Sequence, residues 1–248
     1  AMALVMGLLT KKYGASVLPL SGLVSVFAQG IVLYVITRRT GMRPTAAQPQ
    51  RSGEQAASLA GFIRGNGRFC VLMLGIAMLF FSCNLSNNFL INIARNVGGD
   101  EASLGGINAF MALTEVPVMF LYDRMARRIG CPATIRIAAA AFVAKALGIA
   151  LAGSVPALYA AHALQALSFA VITPAMVRYV NLYISSKDSA KGQSISYNMT
   201  TLGSIFASCL GGVMFDSMSV RAALLTGTAV AAVGAAVCLA FARPADRS

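Results

Sequence analysis

Two ionisable side chains, Glu115 and Lys145, stand inside long apolar stretches of this sequence. If such a stretch crosses a membrane, a charge at its centre costs at least ~2.5 kcal/mol, so an ionisable residue there usually serves a function. Glu115 lies about 12 Å along a helix from Asp123, at 1.5 Å per residue. A carboxyl group at that depth could exchange a proton or bind a solute hydroxyl. The alternative is a structural carboxyl that is bonded to a neighbouring helix.

The following stretches carry Lys145 and two further polar residues, His162 and Gln165, which extend this set. Lys145 lies about 18 Å from the start of its stretch, too deep to reach the membrane surface easily, and is expected to face a cavity. His162 is the single histidine, and it is either a proton carrier or a hydrogen-bonded packing residue. Gln165 lies one turn further on nearly the same face and suits hydroxyl recognition. Glu115 and Lys145 are expected to pair if both face one cavity.

Composition defines the class of protein that must position these side chains. The chain has 248 residues, of which 57% are hydrophobic and 11% are charged, whereas soluble domains carry about 25% charged residues. The apolar residues form blocks of about 20, the length that spans a bilayer. The sequence therefore predicts an all-α, polytopic membrane protein in contact with lipid.

The formal net charge of +12 raises the question of a nucleic-acid partner. Most of the Lys and Arg residues fall in segments that alternate onto one predicted side, which is the positive-inside pattern of membrane proteins. The charge is therefore explained without nucleic acid, and no nucleic-acid partner is predicted. The five cysteines are scattered without a C-x-x-C pattern, so no metal, cofactor or disulfide is expected.

Hydropathy divides the chain into three parts. Residues 1–37 hold half of a span and one complete span, residues 38–68 form a polar cytoplasmic linker, and residues 69–248 hold six spans and a short cytoplasmic tail. An amphipathic surface helix is expected near 55–63. Because residues 1–10 look like the second half of a span, a preceding N-terminal part is expected to be missing. The complete spans are predicted at 16–37, 69–94, 104–122, 133–152, 157–184, 194–215 and 222–242.

A short basic loop between two of these spans sets the orientation. It reads Asp123-Arg124-x-x-Arg127-Arg128, followed by Ile129 and Gly130. Three arginines in a short loop beside the membrane indicate the cytoplasmic side. The C-terminus is then cytoplasmic too, and the predicted location is the inner (plasma) membrane.

The stretch "MFLYDRMARR" that contains this loop is similar to the G-x-L-x-D-R-x-G-R-R loop motif of the major facilitator superfamily. Leu121, Asp123, Arg124, Arg127 and Arg128 match, whereas the two glycines are replaced. The resemblance implies the end of helix 5 followed by helices 6 to 12 of that fold. The chain would then be the six-helix C-terminal half with one complete and one partial preceding helix. It also implies that Asp123 closes a cytoplasmic gate, held by an arginine of its own loop and by the N-terminus of the eleventh helix.

Several stretches, among them "ALTEVPVMFLYDR" and "KGQSISYNMTTLG", resemble the lactose-permease-like branch of that superfamily. The branch implies proton symport of oligosaccharides or nucleosides. In proteins of that branch, the seventh helix carries acidic residues at the first two polar positions of a similar stretch. This chain has asparagines there and reads Asn84-x-x-Asn87-Asn88. These three asparagines are candidate solute contacts, although the charge pairs of the branch are absent from them.

The resulting hypothesis is a secondary active transporter that couples protons to a small polar solute, a sugar, oligosaccharide or nucleoside, by alternating access between this half and the missing one. One alternative is a proton-driven efflux antiporter, and another is a transporter fragment that is inactive alone. A membrane enzyme or receptor is disfavoured, because an intramembrane hydrolase needs paired acids, a serine with a base, or a metal cluster. No catalytic residue is therefore predicted.

Overall fold

The structure is a computed structural model that describes residues 58–242 and, before them, Phe27, Gly30, Ile31, Tyr34, Val35 and Arg38. Within these residues every regular element is a helix. The predictions for 1–10, for most of 16–37, for 39–57 and for the tail after 242 lie outside the described residues.

Nine α-helices and one short 3-10 helix follow one another in the described part from residue 58 onward. They are α1 (Leu59–Gly65), α2 (Gly67–Asn88), α3 (Leu90–Asn96), α4 (Glu101–Ile129), α5 (Cys131–Leu151), α6 (Val155–Ala163), the 3-10 helix (Leu164–Ala166), α7 (Phe169–Tyr183), α8 (Ser189–Ser217) and α9 (Val220–Phe241).

Six of the described helical segments are long and apolar enough to cross a membrane, with α6 and α7 counted as one. They coincide with the six spans predicted after the linker, with ends that differ by a few residues. The all-α, multi-pass class is therefore confirmed. Helix α1 covers part of the stretch where a surface helix was expected, and the buried ring of Phe62 anchors it by packing edge-to-face on Phe69 at 6.0 Å between centroids.

The predicted basic loop is wrong in extent. Helix α4 continues through Asp123 to Ile129, and only Gly130 separates it from α5. Gly130 has φ 84°, a left-handed conformation that glycine adopts without steric cost. The chain can therefore reverse in one residue, so the basic motif forms the last two turns of a helix. We call this end of the bundle the Gly130 end, and the other the Gly153 end.

The six spans form two similar three-helix units. Each unit has an interrupted first span, a 29-residue second helix and a third helix of 21 or 22 residues. The first interruption is at Phe89, between α2 and α3, and the second spans 164–168, between α6 and α7. At 1.5 Å per residue both lie roughly 11 to 14 Å from the Gly153 end. The two broken helices therefore bring irregular backbone to the same depth.

Close helix contacts at glycine hold α2 in the centre of the bundle. A Cβ atom on Gly234 of α9 would lie 2.6 Å from the carbonyl oxygen of Gly75 on α2. A Cβ atom on Gly203 of α8 would lie 2.4 Å from the carbonyl oxygen of Ala77. Small residues allow membrane helices to approach this closely. Gly211 of α8 also lies against α2, at Leu85, whereas Gly212 faces open space.

This packing predicts different effects for two matched glycine substitutions on α8. Gly203→Ala should destabilise the purified protein by about 1–3 kcal/mol, because the added methyl group meets the backbone of α2. Gly212→Ala adds the same methyl group where no atom lies within 4 Å, and should be neutral or slightly stabilising. Unfolding in detergent micelles measures both. Equal stability of the two variants would contradict the close contact between α8 and α2.

Candidate functional site

Three polar side chains meet in the middle of the bundle, each from a different segment. Glu115 is the central residue of the 29-residue α4. Lys145 projects from α5, and Gln165 belongs to the 3-10 helix that interrupts the span between α6 and α7. The site is therefore assembled from two regular helices and one helix break.

The Gln165 amide joins the acid to the base. Its Nε2 atom donates a hydrogen bond to Glu115 Oε1 at 2.8 Å, and its Oε1 atom accepts one from Lys145 Nζ at 2.5 Å. An ionised carboxylate only accepts hydrogen bonds and an ammonium only donates them. The amide presents the matching atom to each partner, so the arrangement suits an ionised Glu115 and a protonated Lys145. The expected direct pair is replaced by an amide bridge.

The bridge extends to α2 through Cys83. Lys145 Nζ lies 3.8 Å from Cys83 Sγ, and Asn87 Nδ2 donates to the same sulfur at 3.7 Å. We call the five residues the polar chain: Asn87, Cys83, Lys145, Gln165 and Glu115. The sequence did not distinguish Cys83 from a packing residue. The only available signal was its position four residues before Asn87, which puts both on one helix face.

Burial divides the polar chain into a closed part and an open part. Lys145 is 2% exposed and Gln165 is 4% exposed, whereas Glu115 is only partly buried. The sequence suggested a cavity-facing lysine, but Lys145 lies inside the bundle. Solvent or solute therefore reaches the polar chain through its two partly buried ends, Glu115 and Asn87, rather than through the lysine.

His162 lies one turn before Gln165 and is fully buried at 0% exposure. Its Nδ1 atom is 2.8 Å from the carbonyl oxygen of Leu158. This contact requires the hydrogen on Nδ1, which leaves Nε2 as an acceptor. Nε2 is buried and has no hydrogen-bond partner among the described residues. A buried acceptor without a partner costs free energy, so Nε2 can take a hydrogen bond from a hydroxyl group.

The three candidate asparagines have different surroundings. Asn84 donates to the carbonyl oxygen of Phe80 on its own helix, at 2.8 Å. Asn88 donates to Ser208 Oγ at 2.9 Å and thereby ties α2 to α8. Only Asn87 joins the polar chain, and its Oδ1 atom is buried without a partner in the described residues. Asn87 therefore belongs to the candidate site, whereas Asn84 makes a hydrogen bond within its own helix and Asn88 makes one to a neighbouring helix.

The basic motif at the Gly130 end has a different partner from the one implied by the resemblance. Asp123 Oδ1 lies 3.3 Å from Arg178 Nη1 on α7, and not against its own arginines or the start of α8. The physical reason is that α4 stays helical past Asp123, which directs this side chain toward α7. The sequence did not indicate Arg178 as the partner, because an arginine near the end of a span usually extends to the membrane surface. The side chains of the three motif arginines, Arg124, Arg127 and Arg128, are exposed.

Comparison with known proteins identifies a family for most of the chain. The sequence pattern of the family described as Major Facilitator Superfamily matches residues 72–248, which include every member of the polar chain and the basic motif. No curated protein matches the chain.

The amide bridge predicts an energetic coupling between Glu115 and Lys145 that depends on Gln165. Removing one charge leaves the other buried charge unbalanced, so Glu115→Gln and Lys145→Met should be non-additive by about 0.5–3 kcal/mol. In a Gln165→Leu background the coupling should fall toward zero. Unfolding of the purified variants in detergent measures both cycles.

A control cycle pairs Glu115→Gln with Arg95→Gln, because Arg95 contacts Glu101 and not Glu115. That cycle should be additive. Additive effects of Glu115→Gln and Lys145→Met, or a coupling that survives Gln165→Leu, would contradict a bridge through the amide.

Proposed function

The chain belongs to the major facilitator superfamily, and from this premise we propose that it is a proton-coupled symporter of a small polar solute: a sugar, an oligosaccharide or a nucleoside. Membership makes it a multi-pass membrane transporter. The observation that carries the finer proposal is the hydrogen-bonded connection from Glu115 through Gln165 to Lys145. It links a partly exposed acid to a buried base in the middle of the bundle.

In the proposed mechanism Glu115 is the proton-binding residue. While it is ionised, its charge is balanced across the Gln165 amide by Lys145. Protonation removes the negative charge and weakens the hydrogen bond that Gln165 donates, since bonds to charged groups are roughly twice as strong as neutral ones. The amide can then bind a solute hydroxyl instead. Protonation of Glu115 thus frees the Gln165 amide for the solute, so binding of the proton favours binding of the solute, which is what coupling requires.

The helix break that carries Gln165 supports a role in binding. A short 3-10 segment inside a membrane helix leaves backbone groups that must find partners within the protein or a cavity. Transporters place binding sites at such interrupted helices near the membrane midplane. In this chain the break holds Gln165 and begins two residues after His162. The unpartnered Nε2 of His162 and Oδ1 of Asn87 are further acceptors for solute hydroxyl groups.

The solute site would be completed by a second six-helix half of the transporter. Of the six spans, α4 and α8 are the least buried in the described part. Helix α8 exposes four polar side chains at helical spacing, Ser194, Asn198, Thr201 and Ser208, alongside large apolar ones such as Ile205 and Val213. Polar side chains in a membrane usually face a protein neighbour or water. We place the opposing half and the aqueous cavity on this side, and the two halves would rock around the bound solute.

Orientation and gating complete the proposal. The arginines of the basic motif favour a cytoplasmic Gly130 end, and with it a cytoplasmic C-terminus, for a protein of the inner (plasma) membrane. The ion pair between Asp123 and Arg178 would fasten α4 to α7 at that end while the cavity opens to the outside. The sequence resemblance favours the lactose-permease-like branch and hence symport.

Glu115→Gln tests proton coupling. In proteoliposomes, uptake of a panel of sugars and nucleosides first identifies the solute. The variant should then lose accumulation against a gradient driven by pH but retain solute exchange, because exchange needs no net proton movement. Glu101→Gln, which removes an exposed acid at the start of the same helix, is the matched control and should accumulate solute normally. Normal pH-driven accumulation by Glu115→Gln would exclude Glu115 as the proton carrier.

Asp123→Asn and Arg178→Gln test the gate. If the two residues form one lock, each substitution should increase cysteine labelling from the cytoplasmic side to the same degree. The double variant should label no more than either single variant, since both remove the same contact. Arg127→Gln, at an arginine without a carboxylate partner in the described residues, is the control. Unchanged labelling in both single variants would reduce the pair to a surface contact of little energetic weight.

A further inference from the structure

A groove runs along α4 on the way to the Gly130 end, outside the polar chain. Its volume is about 380 Å³, and its wall is mostly apolar side chains of α4 together with Leu167, which follows the 3-10 helix. Two arginines, Arg124 and Arg128, also line it. The apolar residues of α4 in the wall include Val118, Leu121, Met125 and Ile129.

The two arginines have no anionic partner in the described part of the chain. The ion pairs seen there join Arg95 to Glu101, Arg178 to Asp123, and Lys191 to Asp188. Asp123, the acid next to Arg124, is thus engaged by another helix. In a helix every Cα–Cβ bond tilts toward the N-terminus, and on α4 this direction leads from the Gly130 end into the membrane. Arg124 and Arg128 therefore start toward the apolar groove and need a negative charge near it.

The dimensions of the groove fit one leaflet of a bilayer. From Val118 to Ile129 the helix rises about 16 Å at 1.5 Å per residue. Half of a hydrocarbon core of about 30 Å is about 15 Å. With its headgroup at the level of the arginines, an acyl chain in this leaflet can follow the part of the apolar wall from Arg124 to Val118, about 9 Å along the helix.

We propose that this groove is a binding site for an anionic phospholipid of the leaflet at the Gly130 end. The acyl chain packs along Val118, Leu121 and Met125, and the phosphate lies between Arg124 and Arg128. The two arginines are four residues apart and so lie on neighbouring positions of one helix face. Guanidinium groups bind phosphate oxygens with paired hydrogen bonds, so the two arginines together can hold a phosphodiester.

Charge argues against a segment of this chain as the occupant. The chain holds 20 Lys and Arg against 8 Asp and Glu. The segment between Arg38 and Ser58 contains three arginines and one acid, Glu54, and the six residues after Ala242 contain two arginines and one acid. Neither segment brings a net negative charge to a pair of arginines. An anionic lipid supplies both the charge and the apolar chain.

The test compares single-charge substitutions in the purified full-length protein. Binding of phosphatidylglycerol is measured by native mass spectrometry and by lipid titration, with phosphatidylcholine as the neutral lipid. Arg124→Gln and Arg128→Gln should each weaken phosphatidylglycerol binding about fivefold. Arg127→Gln removes the same charge from the same helix turn but lies outside the groove, and should change binding less than about twofold. Phosphatidylcholine binding should be weak and unchanged in all three variants.

Two further measurements can contradict the proposed lipid site. Arg124→Lys and Arg128→Lys keep the charge but lose the planar guanidinium, so they should bind less phosphatidylglycerol than the wild type. Glycerol phosphate, the soluble headgroup analogue, should not displace the lipid at equal concentration. Equal losses in Arg124→Gln, Arg127→Gln and Arg128→Gln would reduce the effect to general surface charge. Full displacement by glycerol phosphate would make this an anion site rather than a lipid site, and absence of phosphatidylglycerol binding would mean that the groove is covered by protein.

Discussion

A lysine that is 2% exposed inside a membrane bundle is the constraint on which much of this structure depends. An ammonium group in a low-dielectric interior needs both hydrogen-bond acceptors and a compensating charge. Lys145 has two acceptors in neighbouring elements, the Gln165 amide oxygen and the Cys83 sulfur. Its compensating charge is that of Glu115, which it reaches indirectly through the Gln165 amide. Each of these partners comes from a different segment, so the position of one lysine fixes how four segments meet.

The glycine contacts of α2 make that meeting geometrically feasible. Gly75 and Gly234 let α2 and α9 approach so closely that the backbone of one helix occupies the space a side chain of the other would need. The neighbouring helices therefore pack closely around α2. The sulfur of Cys83 on α2 then comes within reach of the lysine on α5. The interrupted span between α6 and α7 supplies the third side of the site. A continuous helix there would change the direction and depth of Gln165, so the break is part of the site rather than a defect in the span.

Much of the fold was predictable from the sequence and the contacts of the site were not. Spans follow from hydropathy because lipid demands about 20 apolar residues and internal hydrogen bonds, both of which are local properties. Glu115, Lys145 and Gln165 stood out for the same reason, as polar residues in apolar runs. The bridging role of Gln165, the contact of Cys83 and the pairing of Asp123 with Arg178 depend on which helix faces reach each other. The turn at Gly130 shows the same limit on a small scale, since arginines that suggested a loop continue a helix.

The order of residues along two spans links the polar chain to the ion pair at the Gly130 end. Each span carries first a member of the polar chain, then a proline inside a helix, and then one partner of the ion pair. These are Glu115, Pro117 and Asp123 in α4, and Gln165, Pro174 and Arg178 in the span that ends with α7. A proline inside a helix removes one backbone hydrogen bond and favours a kink at that point. In both spans the backbone hydrogen bonding is therefore weakened between the member of the polar chain and the partner of the ion pair. A change at the amide bridge can then tilt the terminal turns of both helices without unfolding either, which is the mechanical property that a gate at the Gly130 end requires.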